Sequence, residues 1–275
     1  MRTIMPVQHK NLTSTRGSLA LLLASILSSV LAFAQKPEYE FYYQFRADFS
    51  PTLQEANHWS LTQEQIFAKY AAKLKGDGIA DSEIARRIKL LRTQHNDLEA
   101  DYWSRYYQDP NSNFNHEPNA FLMEMVKGRR PGVALDYGMG QGRNSIYLAS
   151  VGWEVWGFDP SEGGIAIAQK RAKELGLTLH TSAVRDSAYD FVKQRFDLIL
   201  FSWTMPVVPI EKVIDSLKPG GIVVMECGPE FNNSRNAMLH LFDPLEIVRY
   251  EIVRDKGDFY GSRETDVMRL VAQKP

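Results

Sequence analysis

The chain is short of three things that often betray a function. Only one of its 275 residues is a cysteine, Cys227. An intrachain disulfide, a clustered-thiolate metal site and chemistry that needs a cysteine pair are thereby excluded, and no metal site is expected. Charge imbalance is also missing: 32 Lys and Arg stand against 33 Asp and Glu, with a pI near 6.6. Such a chain has no global field to gather a polyanion, so nucleic acid is not an expected partner. Beyond residue 35 there is no apolar run long enough to cross a bilayer.

The N-terminus has a different character. Arg2, Lys10 and Arg16 precede the uncharged stretch "GSLALLLASILSSVLAFAQ", which closes on Ala32-Phe33-Ala34, a small-x-small pattern. It reads as a secretory signal peptide over 1–34, cut after Ala34, which would export the protein to a periplasm or the outside. Two other readings stay open: an uncleaved membrane anchor, and a start codon set too early, which would leave the protein cytoplasmic. The stretch falls short of the roughly 20 strongly apolar residues of a membrane span.

Residues 35–110 read as a helical extension. The aromatic segment 35–51 has no sustained period and is expected to be an irregular arm. A capping-box pattern at Ser60-Leu61-Thr62-Gln63 opens a helix with Ile66, Tyr70 and Leu74 on one face, stopped by Gly76-Asp77-Gly78. One long helix is expected from Asp81, as cap, to about Tyr107, with Ile84, Ile88, Leu91, Leu98 and Trp103 turned inward. From 111 to 275 a turn-rich stretch and a helix at 118–127 give way to short strands alternating with helices. Strands are expected at 133–136, 154–159, 177–184, 196–203 and 221–227, the last after a turn at Lys218-Pro219-Gly220-Gly221, with two more at 246–253 and 266–272. Such alternation specifies an α/β fold, a doubly wound, mostly parallel sheet with helices on both faces.

In such a sheet the ligand lies at the carboxyl ends of the strands, against the first strand-to-helix loop. That loop reads "DYGMGQGRN", with glycines at 138, 140 and 142. The spacing departs from the dinucleotide pattern G-x-G-x-x-G, because Arg143 occupies the slot of the third glycine. Asp136 at the strand end would repel a pyrophosphate and attract a cation. A nucleoside with a positive charge facing the loop fits, and S-adenosylmethionine is such a ligand. Asp159 ends the second strand 17 residues beyond Gly142, near the offset at which an acid accepts ribose hydroxyls.

"LDYGMGQGRNSIYLA", "GFDPS", "FDLILFSW" and "LKPGG" resemble the class I S-adenosylmethionine-dependent methyltransferases over about residues 114–275, and "GQGRNSIYLA" is most similar to their tellurite-resistance and thiopurine-type branch. The resemblance implies a Rossmann-like seven-stranded sheet whose last strand is antiparallel. It implies that Asp136 and the backbone of Gly138, Gly140 and Gly142 hold the methionine portion, with Arg143 and Asn144 beside them. Asp159, followed by Pro160, would bind the ribose diol, and Asp186 with Ser187 the adenine. Ser202 and Trp203 would line the methyl-transfer chamber, and Phe114, Asn115 and Asn119 would lie over it on the acceptor side. Each has a plainer competitor: a helix cap for Asp186, a surface ion pair for Arg143, core packing for Trp203, turn punctuation for the asparagines.

Methyl transfer from a sulfonium needs alignment and exclusion of water more than a base. Should the acceptor be a hydroxyl, His116, Glu117, Glu226 and His240 are the candidates by location. The fourth strand is followed by "SWTMP" and not by an Asn/Asp-Pro-Pro-Tyr tetrapeptide, which disfavours amide or adenine nitrogen as acceptor. A small-molecule acceptor is expected. The rival functions are a binding module that keeps the cofactor cleft without turnover, and a nicotinamide oxidoreductase.

Overall fold

The computed structural model describes residues 37–46, 63–228, 237–258 and 264–275. The expected signal peptide and the Ser60–Thr62 cap lie outside these residues. Residues 1–41 and 42–275 form two compact units. In the first, Pro37–Tyr39 make a 3-10 turn.

The aromatic segment is not an irregular arm in its described part: residues 40–46 are helical. Tyr42 and Phe45, three apart, are buried, which is the helical spacing the expectation overlooked. Tyr42 donates its hydroxyl to Glu99, and Phe45 meets Tyr70 edge-on at 4.9 Å.

Three helices follow in the second unit: α1 (Gln63–Gly76), α2 (Asp81–Thr93) and α3 (His95–Gln108). The inward face of α1 is Phe67, Tyr70 and Leu74, with Ile66 only half-buried. The single long helix expected from Asp81 is two. Gln94 leaves helical geometry at φ −130°, ψ 21°, and Thr93 turns its hydroxyl back onto the Lys89 carbonyl. Thr, Asn and Asp around the break all compete for backbone groups and favour helix ends. Asp81 is the first helical residue and not the cap; that position is Ala80, which makes no side-chain cap bond.

Helix α4 (Ala120–Val126) begins at Asn119, whose side chain accepts from the Leu122 N–H. The alternating region then runs β1 (Val133–Tyr137), α5 (Arg143–Ser150), β2 (Glu154–Phe158), α6 (Glu162–Glu174), β3 (Leu179–Ser182), β4 (Phe196–Ser202), α7 (Ile210–Ser216), β5 (Leu217–Cys227), α8 (Ala237–Leu241), β6 (Glu246–Lys256) and β7 (Glu264–Gln273). The seven strands lie in the order β3-β2-β1-β4-β5-β7-β6. All neighbouring pairs are parallel except the two made by β7, which is antiparallel to both β5 and β6. The Rossmann-like sheet expected from the sequence is therefore present, with its helical extension before it.

The expected turn at Lys218–Gly221 is absorbed into the irregular start of β5, where Gly220 N–H donates to the Lys274 carbonyl and Lys274 N–H to that of Gly221. Two apolar layers hold the sheet. One face packs Leu135, Phe158, Ile199, Phe201, Met225 and Leu270 with Phe242; the other packs Leu148, Trp153, Leu198 and Val224 with Phe121 and Leu122 of α4. Each such side chain, fully buried, contributes roughly 1.5–3 kcal/mol of transfer free energy.

Helix α3 is fastened to the Rossmann-like part through Gly163 and Gly164 on α6. A Cβ on Gly163 would come within 2.8 Å of the Ser104 carbonyl, and one on Gly164 within 2.8 Å of the Gly140 carbonyl. Ser104 and Ser161 hydroxyls meet at 3.1 Å across the same seam.

Candidate active site at the strand tips

The strand order reverses between β1 and β4, so the crevice beyond their carboxyl ends is where such a sheet receives its ligand. The glycine loop lines it. Gly138, Gly140 and Gly142 all have positive φ, at +65°, +52° and +76°, a region that side chains other than glycine rarely occupy. The space that their missing Cβ atoms free is taken by the protein itself. A Cβ would lie 2.5 Å from the Tyr107 hydroxyl at Gly140 and 2.7 Å from the Ala168 Cβ at Gly142. Glycine is thus required here by packing as well as by backbone conformation.

The two acids expected at the strand tips are both buried, Asp136 at 2% and Asp159 at 7% exposure. Asp136 accepts from the Ser145 hydroxyl at 2.7 Å. Asp159 accepts from Gly140 N–H at 2.9 Å and Ser161 N–H at 2.8 Å. Burial pushes each carboxyl group up to about 6; for Asp136 the Ser145 hydrogen bond and the Arg143 charge pull the other way, and the Asp159 charge adds to the rise. In the glycine loop Gln141 is also 2% exposed, and its side-chain nitrogen has no hydrogen-bond partner among the described residues. Two costly carboxylates at adjacent strand tips and an unmet donor in the loop after β1 are groups that a polar, cationic ligand would satisfy.

Beyond this loop, toward β4, β5 and β6, lies a second polar cluster centred on Asp258. Its carboxylate accepts from Arg143 through both terminal nitrogens, at 3.0 Å each, from Asn119 Nδ2 at 2.7 Å and from Trp203 Nε1 at 2.9 Å. Asn115 donates to its backbone carbonyl. Arg143 further donates to the Glu117 carbonyl at 2.7 Å and the Ser202 hydroxyl at 3.3 Å. The buried Glu226 accepts from Asn119 Nδ2 at 2.6 Å and Arg269 Nε at 2.7 Å, and burial together with the Asp258 charge raises its pKa. Trp203 holds φ +58°, and left-handed backbone at a bulky residue stores strain of the kind found at ligand sites.

The expected acceptor-side residues therefore converge: Asn115, Asn119, Ser202 and Trp203 all join the Asp258 cluster, and Phe114 sets its ring edge-on to Tyr107 at 5.0 Å. Asn119 is both turn punctuation and functional candidate, since it caps α4 and bridges two acids. Arg143 is a buried ion-pair partner. Asn144 accepts from Asn119 N–H at 2.8 Å. Asp186 is not a helix cap: it takes the Tyr137 hydroxyl and the N–H groups of Val207 and Val208, bracing the loop after β4, with Ser187 exposed beside it. Pro160 is half-buried behind Asp159. Among the base candidates, His116 and the Glu117 side chain are exposed, and exposed His240 pairs with Asp243. Sequence reasoning missed Asp258, Tyr107, Gln141 and Arg269. Only Gln141 carried a signal, as the one long polar side chain inside the glycine loop.

A doubly wound sheet with one antiparallel strand carries two buried acids at adjacent strand tips and, beside them, a polar cluster centred on Asp258. The comparisons agree with that fold. Residues 134–221 match the family model described as a methyltransferase domain. TehB of Haemophilus influenzae, a probable S-adenosyl-L-methionine-dependent methyltransferase, is 28% identical over 97 residues, 35% of this chain and 34% of TehB; the chain thus spans about a third of that relative's length. A protein-L-isoaspartate O-methyltransferase of Xylella fastidiosa is 24% identical over 61% of this chain and 82% of its own. The N-methyltransferase NodS of Bradyrhizobium japonicum, solved with S-adenosylhomocysteine, superposes with a TM-score of 0.52 over 64% of this chain and 98% of its own at 15% identity, a likeness of fold. Residues 134–221 thus match a methyltransferase domain, and the sheet around them has the fold of S-adenosylmethionine-dependent methyltransferases. S-adenosylmethionine is the cofactor of such a domain, and the buried acids and unmet Gln141 amide fit it.

Proposed function

We propose that the protein transfers a methyl group from S-adenosylmethionine to a small acceptor. The observation that carries the reading is the pair of buried acids at adjacent strand tips, neither of them in an ion pair: the cation acting on Asp136, Arg143, is itself bonded to Asp258. When bound, the cofactor supplies a sulfonium-activated methyl group. Asp136 faces the positive charge, Asp159 takes the ribose diol, Gln141 donates to a cofactor oxygen, and Asp186 with Ser187 borders the base. Ser202, Trp203 and Asn119 form the wall against which the acceptor lies. Asp258 keeps that wall in register and closes it to water.

Among the described residues none of the four candidate bases stands free beside the Asp258 cluster. Glu226 is committed to Asn119 and Arg269, which favours an acceptor that attacks with an existing lone pair: an amine, a thiolate or a chalcogen oxyanion. The near-neutral charge supports a small molecule over a nucleic acid. Calorimetry with S-adenosylmethionine, then a turnover screen with small acceptors in one arm and isoaspartyl peptides in another, tests the reading. Binding without turnover on any acceptor points to a binding module; stabilisation by NAD but not by S-adenosylmethionine points to an oxidoreductase.

We further propose that residues 1–34 direct export and are removed. Mass spectrometry of the mature protein is expected to find Gln35 at its start. An intact Met1 on soluble protein in the cytosol refutes this.

A further inference from the structure

Strand β6 closes the sheet at one side, and among the described residues it pairs with β7 alone. Among the described residues nothing pairs with its outer row of backbone groups. An edge strand of 11 residues is long, and such edges are normally blunted by inward charge, proline or cover. This one is charged toward its ends and irregular between Ile247 and Arg249, yet it exposes Ile247, Val248 and Ile252, at 37%, 55% and 56%, three of the eight exposed large apolar residues described.

The strand reads Glu-Ile-Val-Arg-Tyr-Glu-Ile-Val-Arg from 246 to 254, the same tetrapeptide on either side of Tyr250. Read against its own reverse about Tyr250, it is complementary at every position. Glu246 falls opposite Arg254, Ile247 opposite Val253, Val248 opposite Ile252 and Arg249 opposite Glu251. Moving the axis one residue either way sets Glu251 or Arg249 against its own copy, like charge on like, which opposes pairing. The tetrapeptide repeat thus names both a partner and a register.

We infer that β6 pairs antiparallel with β6 of a second copy of this chain, on a two-fold axis through Tyr250. The interface is isologous, so each contact occurs twice. Val248 and Ile252 of the two copies cover one another. Arg249, already bonded to Glu251 and Glu124 in its own chain, gains the partner's Glu251, and the four charges alternate in sign across the axis. The irregularity between Ile247 and Arg249 confines the new ladder to 248–252, beyond which Glu246 and Arg254 meet by the reach of their side chains. The two seven-stranded sheets become one continuous sheet.

The test is sedimentation of the full chain with two kinds of variant at exposed positions. Ile252→Lys is expected to weaken self-association by about tenfold or more, because a lysine facing its partner's apolar strand is a natural edge-blocking device. A mixture of Val248→Cys and Ile252→Cys chains, oxidised mildly, is expected to cross-link 248 to 252 in preference to either like pair; Cys227 is buried and stays out of the reaction. A monomer at every concentration overturns the inference, as does an oligomer that ignores Ile252→Lys or cross-links 248 to 248 as readily as 248 to 252.

Discussion

Replacing Asp136 by Asn separates what the acid does for the fold from what it does for the ligand. Burial lifts the Asp136 pKa from 3.8 to about 6. A rise of that size means that the ionised side chain costs the ligand-free protein on the order of 3 kcal/mol at neutral pH. The same holds for Asp159. Between about pH 4 and pH 6 the folded protein keeps protons on both acids that the unfolded chain has released. Native protein binds more protons in that window, so stability is fully present below it and falls as pH rises through it. Asn keeps an acceptor for the Ser145 hydroxyl and removes the charge. Asp136→Asn is therefore expected to raise the ligand-free unfolding temperature above pH 6, by at most the equivalent of about 3 kcal/mol, and to flatten part of its pH dependence. On the proposed function, the same change is expected to remove a charge-assisted contact to the cofactor worth about 1.5–3 kcal/mol, roughly a 10- to 150-fold loss of affinity. The assays are thermal unfolding without ligand and calorimetry with S-adenosylmethionine, each at pH 5 and pH 8. The unaltered protein is expected to bind the cofactor more weakly at pH 5 than at pH 8, because burial raises the pKa of both acids. A variant that is less stable without ligand yet binds the cofactor unchanged refutes the reasoning.

Other perturbations have equally definite outcomes. Gly140→Ala places a Cβ 2.5 Å from the Tyr107 hydroxyl at φ +52°, and is expected to destabilise by about 1–3 kcal/mol in urea unfolding; adding Tyr107→Phe is expected to restore only a part, since the ring Cζ would still lie 2.8 Å from the new Cβ and the backbone strain remains. Asp258→Asn strands the buried Arg143 charge and is expected to cost on the order of 3 kcal/mol, most of it recovered in the double variant Arg143→Met/Asp258→Leu. Failure of the double variant to recover stability refutes the burial account. Gly163→Ala drives a methyl group to 2.8 Å from the Ser104 carbonyl, and amide exchange in α3 is expected to speed up well before that of the sheet.

The alternation of strands and helices was legible because buried strands such as "FDLILF" carry no helical period, and because helix stops such as Gly176 are unambiguous. Asp136 and Asp159 were legible for a related reason: an acid ending an apolar strand is out of place unless something needs it. The break at Gln94 was not, since Ile84 to Trp103 keeps a near-helical spacing across it and only the weak helix formers Thr93 and Asn96 mark the site. Asp258 was beyond reach. Its role arises from four segments, around residues 115–119, 143, 203 and 258, meeting at one carboxylate, and nothing local in "KGDFYG" distinguishes it from any other turn acid. The glycines were read correctly as backbone requirements but for an incomplete reason, because the atoms filling their space come from Tyr107 and Ala168.

The seating of Tyr107 against Gly140 makes the early helices accountable for the ligand. Peeling α3 away would remove the back wall of the glycine turn, so on the proposed function occupancy of the crevice and attachment of that helix rise and fall together. Saturating the protein with S-adenosylmethionine is accordingly expected to shield the peptide bond after Arg105 from trypsin.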